Sequence, residues 1–329
     1  MILNNKKLIS YNFFLSQKKK IKSNILIVGS GRWSKVLIKE ILKNFQNIKK
    51  IFVTTKYKLN LKKWIKEEKL KRIIILDKFL DIKKIKSNYA IVANKTRDHY
   101  KFTKKLLLNN FNVIVEKPFV LNLCQINELK KISKKKNLFL LISLQFIYSR
   151  YFFFLKKKIR KKILTIDIEW FDKKNEIRHG FKKSYSYGIN YFEDIFYHIY
   201  SILFFLFGKK KIVFVKKNFR SKKKNILFKF GSFFINIHFN KNFDNRKRTI
   251  SFKFLDNKVL FINFSNDKNI KISFCGKFLK QHQNISDTSI KYQLFYFLML
   301  KKYKLEILLN DLRKLNGLFS GLKKLRNFL

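Results

Sequence analysis

The chain is poor in residues that break or cross-link structure, with one proline, nine glycines and two cysteines in 329 residues. So little proline and glycine excludes collagen-like, proline-rich and glycine-linker classes. Two isolated cysteines form neither a disulfide framework nor a cysteine-based zinc site, and they point to a reducing compartment. Acids are scarce as well: 20 Asp and Glu against 76 Lys and Arg leave a formal net charge of +56. Long apolar runs are missing. The most apolar, Ile195 to Phe207, has 13 residues and contains His198, whereas a membrane-spanning helix needs about 20. It suits burial in a globular core. The opening segment, MILNNKKLISYNFFLSQKKK, has neither a long apolar stretch nor a small-residue cleavage site. That argues against a secretory signal and for a soluble, cytoplasmic protein.

Hydrophobic residues, by contrast, make up 47% of the chain, and 38 residues are phenylalanine. This excludes wholesale disorder, and at about 100–200 residues per domain the length predicts one large or two moderate domains. The positive charge would attract nucleic acid or anionic membranes. Here Lys, Ile, Phe and Asn rise together along the whole sequence, as in coding from an AT-rich genome. Lysines spread over every predicted element argue against a dedicated patch, so no nucleic-acid partner or transmembrane segment is expected.

The first half alternates short aliphatic runs with amphipathic segments. Strands are predicted at Ile25–Val28, Ile51–Thr54, Ile73–Leu76, Tyr89–Ala93 and Val113–Val115, with helices at Trp33–Phe45, Leu61–Lys69 and His99–Asn109. This is a doubly wound α/β pattern. A helix near Leu123–Lys134, a strand near Phe139–Leu144 and a helix around Ser149–Arg160 follow. From Ile163 to Leu279 strand-like stretches dominate, interrupted by a helix carrying Asp194 and His198; Ser289–Leu300, Glu306–Leu309 and Asp311–Phe328 suggest a helical end. The predicted fold is an N-terminal Rossmann domain followed by an α+β domain with a large, mostly antiparallel sheet. The expected division is an extension at 1–20, a dinucleotide-binding domain at 21–120 and a substrate and oligomerisation domain at 121–329.

The sharpest motif is Ile25-Leu-Ile-Val-Gly29-Ser30-Gly31-Arg32-Trp33-Ser34, a strand running directly into a helix. Gly29 provides a tight turn, and Gly31 has no Cβ to obstruct a pyrophosphate over the helix N-terminal amides. Ser34 stands at the expected third glycine. The second strand ends in Thr54, Thr55 and Lys56, where an acid that prefers NAD would stand. Without that carboxylate, Arg32, Lys56 and Lys58 suit a ribose 2'-phosphate, which favours NADP(H) over NAD(H). Further on lie Ala93-Asn94-Lys-Thr96-Arg-Asp-His99 and Glu116-Lys117-Pro118.

These motifs, in this order, resemble those of the Gfo/Idh/MocA oxidoreductase family. Its first domain combines the glycine fingerprint with an A-T-P-N-x-x-H-like segment and an E-K-P motif. The resemblance implies an NAD(P)-dependent dehydrogenase or reductase. It places Lys117 at the active site and Ala93, Asn94, Thr96, His99 and Glu116 at the cofactor. Physically, the Lys117 ammonium suits stabilisation of a developing negative oxygen.

Asp194 and His198 are four residues apart and share a face of a helix. Spacing alone leaves two readings: an acid orienting a proton-exchanging histidine, or a capping aspartate and a core histidine. Many sugar-modifying members of the family carry G-G-x-L-x-D-x-x-x-H at this distance, which assigns Asp194 and His198 to catalysis. Ile189 and Asn190 replace its glycines, and Ser201 replaces a frequent aspartate. Candidate substrate-side residues are Tyr148, Arg150, Trp170, Arg178, His179 and Asn190. The implied function is hydride transfer to or from a sugar, sugar-nucleotide or cyclitol. In the oxidation direction His198 takes the hydroxyl proton, Asp194 orients it and Lys117 steadies the oxygen. The alternatives are an imine, enal or bilin reductase of the same frame, or a catalytically degenerate nucleotide-binding protein. No metal is expected, and a homodimer or homotetramer is.

Overall fold

The computed structural model describes residues 21–119, 122–159, 162–178, 180–182, 190–220, 224–266, 269–283, 289–303 and 316–329. It divides into two compact units, one of residues 1–148 and 289–316, the other of residues 149–288 and 317–329.

The first unit contains a six-stranded parallel sheet of β1 (Ile25–Val28), β2 (Ile51–Thr54), β3 (Ile73–Ile75), β4 (Tyr89–Val92), β5 (Asn112–Val115) and β6 (Leu140–Ile142), ordered β3-β2-β1-β4-β5-β6. All four residues of β1, β4 and β5 are buried, so these strands read as continuous apolar runs instead of alternating ones. Helices α1 (Arg32–Asn44), α2 (Lys58–Glu67), α3 (Thr96–Leu108) and α4 (Leu123–Lys135) connect the strands. A one-turn 3-10 helix, Gln145–Tyr148, follows β6. The strand order reverses between β1 and β4, the switch point at which open α/β sheets bind ligands beyond their carboxyl ends.

The boundary expected at residue 120 differs from this division. Residues 123–142 form α4 and β6, and β6 extends the parallel sheet by pairing with β5, Val113 to Leu140 through Val115 to Ile142. The later helix α7 (Ser289–Tyr303) also belongs to this unit and packs on α1 and on the 3-10 turn.

The second unit is built on an eight-stranded sheet. Its strands are β7 (Ile163–Lys173), β10 (Ile212–Asn218), β11 (Lys224–Phe230), β12 (Phe233–Phe243), β13 (Lys247–Phe254), β14 (Val259–Asn266), β15 (Asn269–Phe274) and β16 (Lys277–Gln283). The order is β10-β11-β12-β7-β13-β14-β15-β16, antiparallel except where β12 meets β7. A short hairpin pairs β8 (Ile177–Arg178) with β9 (Phe181–Lys182). Helices α5 (Arg150–Lys158), α6 (Tyr191–Phe207) and α8 (Asn316–Phe328) complete the unit.

Alternation along the strands supplies one apolar face. On β12, Phe233, Ile235, Ile237 and Phe239 are buried. Against this sheet α6 lays Phe192 on Phe239, with ring centroids 4.7 Å apart, and Tyr200 on Phe230 at 6.0 Å. Burial pushes the Tyr200 phenol up to about 12, and its hydroxyl donates to the Gly317 carbonyl at 2.8 Å.

Candidate active site

The first loop is shaped by its glycines. Gly29 has φ +116°, and a Cβ there would lie 2.8 Å from the Ala93 carbonyl oxygen and 2.9 Å from the Asn94 nitrogen. Backbone approach from the end of β4 therefore requires glycine. The Gly29 amide donates to Thr54 and the Ala93 amide to Val28, each at 2.9 Å, so the ends of β1, β2 and β4 are locked together. Gly31 differs: its φ is an ordinary −69°, and a Cβ would meet nothing within 4 Å. It caps α1, whose first turn has no acid and whose cap makes no side-chain bond. The structure thus offers open space directly over a helix N-terminus, the geometry a pyrophosphate needs.

Ser34, at the third position of the fingerprint, is fully buried and donates to the Ala93 carbonyl at 3.1 Å. Its hydroxyl turns a position usually reserved for glycine into a tie between α1 and β4. Ser30 and Thr55 hydroxyls meet at 2.7 Å, and the Thr55 hydroxyl also accepts from the Tyr57 amide at 3.1 Å. Lys56 is exposed. Lys58 is ion-paired with Asp77 at 3.2 Å, which offsets the charge it would offer a ribose phosphate. Arg32 and Trp33 occupy the first turn of α1, and Thr96 opens α3.

His99, 1% exposed, ties two motifs together. Nδ1 lies 2.9 Å from the Pro118 carbonyl and 3.0 Å from that of Phe119, and Nε2 lies 3.1 Å from the Asn94 carbonyl. Burial lowers its pKa, so the imidazole is neutral near pH 7 and donates to one side at a time. Its contacts are to backbone, which makes it a strut between the β4–α3 loop and the Glu116-Lys117-Pro118 segment. Lys117, partly exposed, precedes a cis proline. Burial pushes the Glu116 carboxyl up to about 7, outweighing Ser143, Trp33 and the Lys117 ammonium, which favour its charged form.

Among the described residues, several buried polar atoms just beyond the carboxyl ends of the strands have no hydrogen-bond partner. They are Asn94 Oδ1 after β4, Glu116 Oε1 after β5 and Gln145 Oε1 after β6. Buried polar groups are rarely left unpaired, and these acceptors stand on the strand ends where a dinucleotide would run. The residues present therefore fit the group that the glycine turn implies. Sequence reasoning missed Ser143, Gln145 and Gln293; the available signal was a pair of polar residues inside the apolar stretch Leu140-Leu-Ile-Ser-Leu-Gln145.

In the second unit, Asp194 lies in the first turn of α6 and His198 one turn further on; both are partly buried. The His198 ring stacks on Trp170 of β7, with centroids 5.9 Å apart and planes 15° from parallel. Trp170, 3% exposed, also has the Arg248 guanidinium 4.3 Å from its ring centre. Arg248 in turn forms a buried ion pair with Asp172.

Asn190, a candidate for substrate binding, caps α6: its side chain accepts from the Phe192 amide at 2.9 Å. Ser201 donates to the His198 carbonyl at 2.8 Å. Tyr148 belongs to the first unit, where it is 1% exposed and packs on Tyr296 at 5.3 Å. Arg150 is partly buried at the start of α5, and Arg178 ends β8. His179 lies outside the described residues.

The parallel sheet with its glycine turn defines the class: a dinucleotide-binding Rossmann unit joined to an α+β unit. Residues 23–143 match the Gfo/Idh/MocA model, described as an oxidoreductase family with an NAD-binding Rossmann fold. No curated protein matches the chain in sequence. A dehydrogenase from Clostridium difficile shares its fold at TM-score 0.71 and 17% identity, over 93% of this chain and 99% of that one. So does UDP-N-acetylglucosamine 3-dehydrogenase from Acidithiobacillus ferrooxidans, at TM-score 0.75 and 11% identity, over 93% and 97%. A third is a 3-ketoreductase from Actinomadura kijaniata, solved with TDP-benzene and NADP, at TM-score 0.68 and 12% identity, over 92% and 96%. Among the described residues no helix is long and apolar enough to cross a membrane.

Proposed function

We propose that the chain is an NAD(P)-dependent oxidoreductase acting on a carbinol or ketone carbon of a sugar, with sugar-nucleotides the leading class. The observation that carries the cofactor half is the contrast between Gly29, closed under Ala93, and Gly31, open over α1. Two of the similar folds act on related carbons, one as a UDP-N-acetylglucosamine 3-dehydrogenase and one as a 3-ketoreductase.

The bound nicotinamide supplies the hydride chemistry. Gly29, Ser30, Gly31 and the first turn of α1 hold the pyrophosphate, and Asn94 and Glu116 take the nicotinamide side. The absence of a carboxylate at Thr54, Thr55 and Lys56, with Arg32 near by in sequence, favours NADP(H). In the oxidation direction His198 takes the hydroxyl proton, Asp194 orients the imidazole, and the Lys117 ammonium donates to the substrate oxygen. Asn190 acts as a helix cap, which gives the missing glycine a structural reason and weighs for a working site.

A cytoplasmic setting fits the two free cysteines. Exposed Val213, Val215 and Phe234 on strands of the eight-stranded sheet support a homodimer or homotetramer formed through that sheet.

The test is turnover of a panel of sugar-nucleotides and free sugars with NADP+ and NAD+, followed by reduced-nicotinamide absorbance. Lys117→Met is expected to bind cofactor normally and to lose about 100-fold or more in kcat. His198→Gln is expected to lose about 100- to 10,000-fold in kcat. Full activity in both variants would refute the assigned roles.

A further inference from the structure

One polar cluster at the carboxyl ends of β5 and β6 joins Glu116 of the Glu116-Lys117-Pro118 segment to two residues outside every motif, Ser143 and Gln293. Val115 pairs with Ile142 in parallel register, and the Ser143 amide donates to the Val115 carbonyl at 2.7 Å. Glu116 and Ser143 therefore stand side by side, one residue beyond the last pair. The Ser143 hydroxyl lies 3.2 Å from Gln293 Oε1 on α7, a helix that returns to this unit 150 residues later. Glu116, Ser143 and Gln293 are 8%, 4% and 2% exposed. Two of their atoms, Glu116 Oε1 and Gln293 Nε2, have no partner among the described residues.

A hydroxyl has one proton to give and lone pairs to offer. While Ser143 donates to Gln293 Oε1, it presents Glu116 with a lone pair, which only a neutral carboxyl can satisfy by donating its own O–H. When Glu116 is ionised, Ser143 turns its proton to the carboxylate. Gln293 is then left facing a lone pair, which its amide meets by turning Nε2 inward. We propose that Ser143 and Gln293 are positioning residues that hold Glu116 in one of two proton-ordered settings and so set the charge standing beside Lys117. In one setting Glu116 is a neutral acid and the Gln293 oxygen faces Ser143; in the other it is a carboxylate and the Gln293 nitrogen faces Ser143. The settings differ by one proton, exchanged with solvent, and a half-turn of one amide.

The surroundings poise the relay near neutrality. Burial pushes Glu116 to about 7, against the Lys117 ammonium and the Ser143 and Trp33 side chains, which favour its charge. On α7 the charged residue close in sequence to Gln293 is Lys291, 2% exposed, whose ammonium sits 4.8 Å from the Tyr292 ring centre; the charge acting on Glu116 is the Lys117 ammonium. The consequence for turnover rests on the proposed hydride transfer: a neutral Glu116 leaves the Lys117 ammonium uncompensated for a developing oxyanion. The relay itself does not depend on that reading.

The test uses the full chain without cofactor, labelled with 13Cδ-glutamate and side-chain 15N-glutamine, in an NMR titration from the acid to the alkaline side of neutrality. Glu116→Gln and Gln293→Met assign the two signals by their disappearance. The Glu116 carboxyl and the Gln293 amide are expected to titrate with one shared midpoint. In Ser143→Ala the Gln293 signal should stop responding and the Glu116 midpoint should rise, because the carboxylate has lost a donor. Ser143→Thr should restore the coupling. In Glu116→Gln the Gln293 signal should be flat, a second reading available even if Ser143→Ala fails to fold. A pH-independent Gln293 amide in the wild type, or one that responds unchanged in Glu116→Gln, overturns the relay. Loss of nicotinamide binding would instead count against the proposed function and leave these signals unaffected.

Discussion

Gly29 and Gly31 are two residues apart and serve different ends. Gly29→Ala forces a side chain into a left-handed backbone and against Ala93, so it should destabilise the chain by about 1–3 kcal/mol, read as a lower midpoint in urea unfolding. Gly31→Ala meets no atom and should leave that midpoint unchanged while weakening dinucleotide binding. Equal loss of stability in both would remove the distinction. Glu116 makes a second prediction at this scale. Its folded pKa of about 7 lies above the ordinary 4.5, so the folded chain holds the proton more tightly than the unfolded one. The stability from this group is full below about pH 4.5 and is lost as pH rises through about 7, on the order of 3 kcal/mol in all. Glu116→Gln should flatten the wild-type decline between pH 5 and 8 in unfolding measured at stepped pH. An identical slope in the two proteins would place the carboxyl's pKa at its ordinary value.

At the scale of elements, two capping and tying interactions carry measurable weight. Asn190→Ala removes the cap of α6 and should cost about 1 kcal/mol. Ser34→Ala removes the tie from α1 to Ala93 and should cost about 0.5–1.5 kcal/mol. Thermal unfolding checks both, and no change in midpoint would mean that neither bond is held in solution. Much of the element order was legible because β1, β2, β4 and β5 are short aliphatic runs bounded by polar turns. Three strands escaped for physical reasons. β16, Lys-Phe-Leu-Lys-Gln-His-Gln, is an edge strand whose polar composition resembles a loop, and β8 and β9 are two residues each. The glycine turn and the Glu116-Lys117-Pro118 segment could be read from sequence because each is contiguous. Gln293 could not, since only the return of α7 brings it to Ser143. The same return hid the true extent of the first unit, which chain order alone had ended near residue 120.

For the whole molecule the dominant fact is charge. With 76 basic and 20 acidic side chains, most lysines have no acid to pair with and repel one another across the surface. Added salt screens exposed charges over about 10 Å at 0.1 M. The melting temperature should therefore rise between low and moderate salt, and a fall would show that ion pairs outweigh the repulsion. The same field attracts any polyanion, so apparent binding of a dinucleotide means little unless a pocket is shown. The decisive measurement is titration of the full chain with NADPH and NADH at fixed moderate salt, by reduced-nicotinamide fluorescence, with polyphosphate as competitor and Gly31→Asp as control. Saturable binding is expected, tighter for NADPH, resistant to polyphosphate and abolished by Gly31→Asp without loss of fold. Binding that polyphosphate removes, and that Gly31→Asp leaves intact, would contradict a nucleotide site at this turn and with it the assignment of hydride chemistry to this chain.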